Sequence, residues 1–356
     1  MIQERMQKIQ EHLGEKEALL ITSVPNRYYF TGFESSAGSV VIFRDAAYFL
    51  IDFRYFEKAK SVVDSCEVRL SERSISEIGQ LLARHGARKL FVEARSTSVA
   101  TLRAYREALV GVEISEEDTM DALIESMRAI KTKEEVQRIE AAQALTDDTF
   151  SYILERIAPG RTERDVMLDM EFYMRKLGSE GVSFDFIVVS GKNSSLPHGV
   201  PTDKKIEKGD FLTMDFGAIV DGYHSDMTRT VAVGAASEDM KKVYNTVLEA
   251  QLAAIEAVRP GVVCRDIDTI ARNLIYRAGY EGCFGHGLGH SVGLEIHENP
   301  NFNTRCETIL PQGAIMTVEP GIYLENRFGV RIEDMVYVTE DGCRDLTRSA
   351  KNLIVL

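Results

Sequence analysis

Asp215 and Asp226 lie eleven residues apart in DFLTMDFGAIVDGYHSDMTR, a stretch that reads as two strands closed by a turn. Leu212, Met214 and Phe216 alternate with Thr213, Asp215 and Gly217, the period-two pattern of a half-buried strand. Asp221-Gly222 suits a type I′ turn, which needs positive φ at both central positions. With those residues at the tip, Asp226 falls opposite Gly217, on the face that Asp215 also uses. Two carboxylates aimed at one point repel each other, so one must be protonated or positive charge must be supplied. A shared proton would serve acid chemistry, a bound divalent cation would serve hydrolysis, and a solvated hairpin edge would do neither.

Further along, GCFGHGLGHSVGLEIHENP sets His286, His290 and His297 within twelve residues. His286 and His290 have the i, i+4 spacing of a zinc-protease helix, but the glutamate of HExxH is absent. Gly285, Gly287, Gly289 and Gly293 would each cost about 1 kcal/mol in a helix. The stretch is therefore expected as a loop entering a strand, its backbone passing close to a neighbour. Glu319 ends a strand in AIMTVEPGIY, and Glu333 sits in FGVRIEDMVYV, whose alternation puts Val330 and Ile332 on one side and Arg331 and Glu333 on the other. A buried glutamate is costly unless paired or metal-bound. Two such glutamates, two aspartates and nearby histidines make a metal site the economical reading. His198, in NSSLPHGVP, is held by a bend between Pro197 and Gly199 rather than by a helix.

Four carboxylates carry too much negative charge for one divalent ion and match two. Oxygen ligands with one imidazole suit manganese or cobalt, with zinc or iron as alternatives. The five scattered cysteines exclude a cysteine-rich zinc site and fit a reduced cytosol.

These groups must be positioned by a chain of 356 residues, a length for which two domains are the default. The first third reads as a compact α/β unit: an opening helix, a strand at Ala18 to Ser23, a hairpin around Arg44-Asp45-Ala46, and helices over Phe53–Val63, Ile75–His85 and Val99–Val110. KLFVE forms a strand between the last two. Thr132 can cap a long helix and Thr162 another that stops at Gly178. The expected domains are 1–127 and 128–356. A net charge of −13 argues against nucleic acid. A charged N-terminus without a signal-peptide core, and no apolar run near the roughly 18 residues of a membrane span, point to a cytoplasmic protein.

The residues MDFG, HSDMTRT, HGLGH, TVEPG and GVRIED, in that order, resemble the five-ligand pattern of the creatinase/prolidase/methionine aminopeptidase superfamily, the pita-bread metallopeptidases. The two-domain layout is similar to its proline-specific branch, Xaa-Pro dipeptidase (prolidase) and Xaa-Pro aminopeptidase (aminopeptidase P). The resemblance implies an α+β protein with a small α/β N-terminal domain and a pita-bread catalytic domain. It implies that Asp215 chelates one metal, that Asp226 and Glu333 bridge two, and that His290 and Glu319 hold the other. Glu319 would also move the proton from a metal-activated water toward the leaving nitrogen. His198 and His297 would stabilise the developing oxyanion or shuttle protons. Arg331 would orient a carboxylate or substrate terminus, and His286 would line the pocket. The implied activity is exopeptidase cleavage of Xaa-Pro bonds in short peptides by a homodimer, with the dipeptidase favoured slightly over the aminopeptidase. Methionine aminopeptidase lacks such a first domain and creatinase lacks the ligands. A non-catalytic binding module would be expected to lose ligands, whereas all five are present here.

Overall fold

A computed structural model describes residues 2–72 and 74–356. It divides into two compact units, Met1–Met127 and Arg128–Leu356. In the first, α1 (Ile2–His12), β1 (Glu17–Ile21), α2 (Val24–Thr31), β2 (Ser39–Phe43), β3 (Ala47–Ile51), α3 (Phe53–Val62), β4 (Glu67–Leu70), α4 (Ser74–His85), β5 (Lys89–Val92), α5 (Val99–Ala108) and β6 (Glu113–Ser115) follow in order. The six strands form one mixed sheet, β4-β3-β2-β1-β5-β6. Antiparallel β1-β2-β3 pairs at its centre are flanked by parallel neighbours. Ile78, Leu81 and Leu82 of α4 pack on Leu20, Val41 and Leu50 of the sheet. The short elements α2, β4 and β6 are additions to the reading from periodicity, which needs longer windows than these segments offer. The helix α6 (Thr119–Ala129) spans the boundary in sequence.

The second unit begins with α7 (Lys133–Leu154) and α8 (Glu163–Lys176), each opened by a capping box, Thr132 with Glu135 and Thr162 with Asp165. Strands β7 (Ile187–Ser190), β8 (Phe211–Phe216), β9 (Ile219–Val220), β10 (Tyr223–His224) and β11 (Met227–Ala232) come next. Then follow α9 (Glu238–Ala257), α10 (Cys264–Arg277), β12 (Gly289–Ser291), β13 (Glu298–Phe302), β14 (Ile315–Val318), β15 (Gly321–Leu324), β16 (Phe328–Arg331), β17 (Asp334–Val338) and β18 (Cys343–Asp345).

Two half-structures result. The sheet β11-β8-β7 is backed by α7 and α8, whose Ala142, Phe150, Val166 and Met170 bury against Val188, Leu212, Met214 and Val231. The sheet β13-β12-β14-β17-β18 is backed by α9 and α10 through Val243, Val247, Ile267 and Ala271 against Met316, Val318 and Val336. A central two-layer arrangement of this kind leaves the opposite sheet faces to build a cavity. This is the mixed α/β, pita-bread layout.

The aspartate hairpin keeps one register throughout: Thr228 pairs with Asp215, Met227 with Phe216, His224 with Ile219 and Tyr223 with Val220. Asp221 and Gly222 both adopt positive φ, 48° and 73°, as the tip of a type I′ turn requires. Between the ladders, Gly217 is obligatory for a steric reason. A Cβ there would stand 1.8 Å from the carbonyl oxygen of Ser225.

The last strand pair departs from expectation. FGVRIEDMVYV is not one continuous strand; it leaves its pairing with β15 after Arg331 and resumes against β14 at Asp334. At the break the Glu333 N–H bonds the carbonyl of Thr228 at 3.1 Å, so the residue stitches the second half to the first. Alternation survives the break, with Val330 and Ile332 in the core and Arg331 and Glu333 toward the cavity.

The joint is anchored by a buried ion cluster. The Arg229 guanidinium donates to Asp334 at 2.7 Å and to the Glu333 carbonyl at 2.6 Å. Both partners of the ion pair are almost wholly buried, at 1% and 0% exposure. Lys351 and Gln251 also donate to Asp334. Removing one member of such a cluster strands the others' charge in the core. Asp334→Asn should therefore destabilise the protein by about 3–5 kcal/mol, read as a lower denaturation midpoint at unchanged m-value; a midpoint within error of the parent would refute the anchor.

Candidate metal centre

The cavity between the two half-structures has a volume of about 900 Å³ and is lined by Asp215, Asp226, His290, Glu319 and Glu333. Each ligand candidate arrives on a different element. Asp215 lies in β8, and Asp226 immediately precedes β11. His290 lies in β12, whose neighbour Gly289 permits contact with β14: a Cβ there would meet the Thr317 carbonyl oxygen at 2.0 Å. The His290 N–H in turn donates to the Thr317 hydroxyl at 3.0 Å. Glu319 is set by its own N–H, which donates to the Leu288 carbonyl at 2.8 Å.

Asp226, His290 and Glu333 each offer a ligand atom, and these atoms lie within 4.8 Å of one another. The His290 Nδ1–H donates to the Ser291 carbonyl at 3.2 Å, which leaves the Nε2 lone pair facing the cavity. Nε2 stands 3.6 Å from Asp226 Oδ2 and 3.5 Å from Glu319 Oε1. Burial, aided by His297, pushes His290 down to about 4, so the imidazole is neutral and able to ligate.

The carboxylates show the opposite shift. Burial and the neighbouring Asp215 and Glu319 push Asp226 well above the usual range. Burial and Asp226, Glu319 and Asp215 do the same to Glu333. Burial pushes Glu319 up to about 8, with Asp215 adding to the effect and Arg331 opposing it. Asp215 Oδ2 accepts from Arg331 Nη2 at 2.6 Å, but its Oδ1 is buried with no hydrogen-bond partner. An orphaned carboxylate oxygen, a neutral imidazole and three crowded acids are what a divalent cation would satisfy. The donor set therefore fits metal.

Family comparison agrees. Residues 137–340 match the model of metallopeptidase family M24. The chain belongs to this family. Residues 5–130 match the creatinase/prolidase N-terminal domain. The chain is 37% identical to an Xaa-Pro dipeptidase from Pyrococcus furiosus over 99% of its own length and 100% of the relative's. Two solved structures share its fold. An Xaa-Pro dipeptidase from Bacillus anthracis has a TM-score of 0.94 at 40% identity, covering 100% of this chain and 99% of that one. An X-Pro aminopeptidase from Thermotoga maritima has a TM-score of 0.91 at 35% identity, covering 98% and 100%.

Within this M24 site the remaining sequence-derived candidates fall in distinct places. His198 and His297 both line the cavity. The His297 ring stands 4.4 Å from that of His290. Burial and nearby His198 lower the His297 pKa, against the pull of Asp215. Arg331 is only 3% exposed. Besides Asp215, its guanidinium donates to the Thr228 hydroxyl at 3.0 Å, Tyr323 at 2.8 Å and the Pro197 carbonyl at 3.3 Å. So the carboxylate it orients in this structure is the protein's own.

His286 closes the same network. Its Nδ1–H donates to the Gly287 carbonyl at 2.8 Å, and its Nε2 accepts from the Tyr323 hydroxyl at 2.9 Å. Burial, with Arg331 beside it, lowers His286 to about 4. Two residues of the site escaped the reading of the sequence. Tyr323 links His286 to Arg331, and Thr228 donates to Glu333 Oε2 at 2.7 Å. The only available signal for Thr228 was its register opposite Asp215. Tyr323 gave none.

Proposed function

We propose that this M24 metallopeptidase is an Xaa-Pro dipeptidase holding two divalent ions per subunit, manganese first among the candidates. The observation that supports the dinuclear reading is the size of the donor set in one cavity. Asp226, His290 and Glu333 offer ligand atoms within 4.8 Å of one another, Glu319 stands 3.5 Å from His290, and Asp215 lines the same cavity with an orphaned oxygen. The four carboxylates carry more negative charge than one divalent ion balances. Bound ions would acidify a water and polarise a peptide carbonyl. Glu319, 3.5 Å from His290 at the cavity wall, would take the proton from that water and pass it to the departing proline nitrogen. His198 and His297, at the cavity wall and outside the ligand set, would donate hydrogen bonds to the oxygen on which charge develops. Arg331 would keep Asp215 oriented, and His286 would brace Arg331 through Tyr323.

Proline preference rests on likeness to the Pyrococcus furiosus and Bacillus anthracis dipeptidases. Likeness to the Thermotoga maritima X-Pro aminopeptidase favours the second reading, in which longer peptides are substrates. Among the described residues no helix is long and apolar enough to cross a membrane, in keeping with a cytoplasmic peptidase. We further propose a homodimer, as the family layout implies.

Metal-stripped protein reloaded with manganese should cleave Ala-Pro and leave Ala-Ala intact, with products identified by mass spectrometry. Preference for Ala-Pro-Ala over Ala-Pro would assign the aminopeptidase reading, and cleavage of neither would remove the proline specificity. Replacing His198 or His297 with Ala should lower kcat about 100-fold with metal content, measured by plasma emission, unchanged. Loss of metal would instead make that histidine a ligand.

A further inference from the structure

His198 is an exposed residue in the loop connecting β7 and β8, three residues beyond a 3₁₀ turn over Gly191–Ser195 and outside any helix or strand of its own. A catalytic histidine cannot wander by an ångström without loss of rate, so something else must hold that loop. Beneath it lies Glu163, the first residue of α8, with 0% of its surface exposed.

Among the described residues no lysine or arginine pairs with the Glu163 carboxylate; its partners are neutral donors, and they come from both ends of the loop. Oε1 accepts from the Ser190 N–H at 2.6 Å, the Ser190 hydroxyl at 2.9 Å and the Asn193 amide at 3.1 Å, all before His198. Oε2 accepts from the Thr202 N–H at 3.1 Å and the Thr202 hydroxyl at 2.7 Å, both after it, and also from the Asn193 amide at 3.3 Å. The main chain of α8 reinforces the second end, the Glu163 and Arg164 N–H groups donating to the carbonyls of Lys204 and Thr202 at 3.1 Å each. One carboxylate thus closes the base of the loop.

The far side of the loop is tied to the metal centre. The Gly329 N–H donates to the Ser194 hydroxyl at 2.9 Å, and Arg331, which holds Asp215, also donates to the carbonyl of Pro197, next to His198. The loop therefore hangs between α8 and β16, its base held by the Glu163 carboxylate together with Lys204, whose Nζ donates to the Ser190 hydroxyl at 2.9 Å.

We infer that Glu163 is a positioning residue for His198, setting the imidazole against the reacting carbonyl by clamping Ser190 and Thr202 with one carboxylate. This rests on the role proposed above for His198. Glu163 is not among the residues that line the cavity, and its carboxylate bonds Ser190, Asn193 and Thr202. An acceptor-only group at this position suits donors on every side, since a carboxylate has no N–H to collide with them.

Glu163→Gln keeps the shape but turns one arm into a donor facing N–H groups, so one end of the clamp opens. In manganese-loaded full-length protein, kcat for Ala-Pro should fall about tenfold, with KM and metal content kept. The decisive readout is a double-mutant cycle: in the His198→Ala background, Glu163→Gln should change kcat by less than about twofold, because the group it positions is gone. Equal losses in both backgrounds would overturn the inference and leave Glu163 a structural residue. If His198→Ala itself leaves kcat unchanged, the role of His198 fails instead, and the positioning inference falls with it. Thr202→Val, which removes only the hydroxyl arm, provides the same cycle should Glu163→Gln fail to fold. It should lower kcat about threefold in the parent and not at all in His198→Ala.

Discussion

Asp226→Asn is expected to abolish peptidase activity and metal binding while making the metal-free protein more resistant to unfolding at mildly alkaline pH. The two effects have one cause. Asp226 is 5% exposed and stands within reach of His290 and Glu333, with its pKa raised by burial and by Asp215 and Glu319. Without metal its negative charge is a liability, and an amide of the same shape relieves it. With metal the charge is required on a central ligand. Metal ions contribute several kcal/mol of transition-state stabilisation, and each 1.36 kcal/mol is tenfold in rate, so the loss should be at least about 1,000-fold.

Glu333→Gln should behave alike, since Glu333 is 1% exposed and its carboxylate is raised by Asp226, Glu319 and Asp215 after burial itself. Stoichiometry by plasma emission and thermal melts in chelator are the measurements. Retention of two ions and of activity would dismiss the bridging assignment. A metal-free melt below the parent's would mean that the carboxylate contributes to folding rather than opposing it.

The site was readable where chemistry and local pattern coincide. Asp215 and Asp226 share a face because a two-residue turn fixes the register of everything before and after it, and DG announces that turn. The histidine segment declared itself non-helical through its glycines, and Gly289 does pass close to Thr317. What stayed hidden depends on long-range contact. The Arg331–Asp215 bond spans 116 residues and the Thr228–Glu333 bond 105; no window along the chain holds both partners. Glu163 reads as an ordinary acidic residue in the first turn of a helix, and only the return of the chain at Thr202 reveals its other task. The break between β16 and β17 was invisible for a related reason. Side-chain alternation continues through Ile332 and Glu333 although the hydrogen-bond partner changes from β15 to β14.

Metal-free protein should melt at a lower temperature as pH rises from about 6.5 to 8.5, and metal should cancel the decline. In this window the buried histidines are silent, because His286 and His290 are both lowered to about 4 and stay neutral. The carboxylates are not silent. Glu319 is raised to about 8, chiefly by burial; Asp226 is raised well above the usual range by burial and by Asp215 and Glu319, and Glu333 by burial and by Asp226, Glu319 and Asp215. In the unfolded chain all three ionise near pH 4, so across the window the native state holds more protons than the unfolded one. Stability must then fall with rising pH. The contribution of a raised acid is complete below its unfolded pKa and is lost as pH climbs through its folded value. A loss of a few kcal/mol corresponds to a drop of roughly 5–10 °C in Tm for a unit of this size. A divalent cation bound there would reverse the electrostatics by favouring the ionised forms, so the gain in Tm on adding manganese should widen steadily with pH. A metal-free Tm that is flat or rising across the window would mean that the acids are already ionised and compensated without metal, and the crowding that identifies the metal centre would have to be given up.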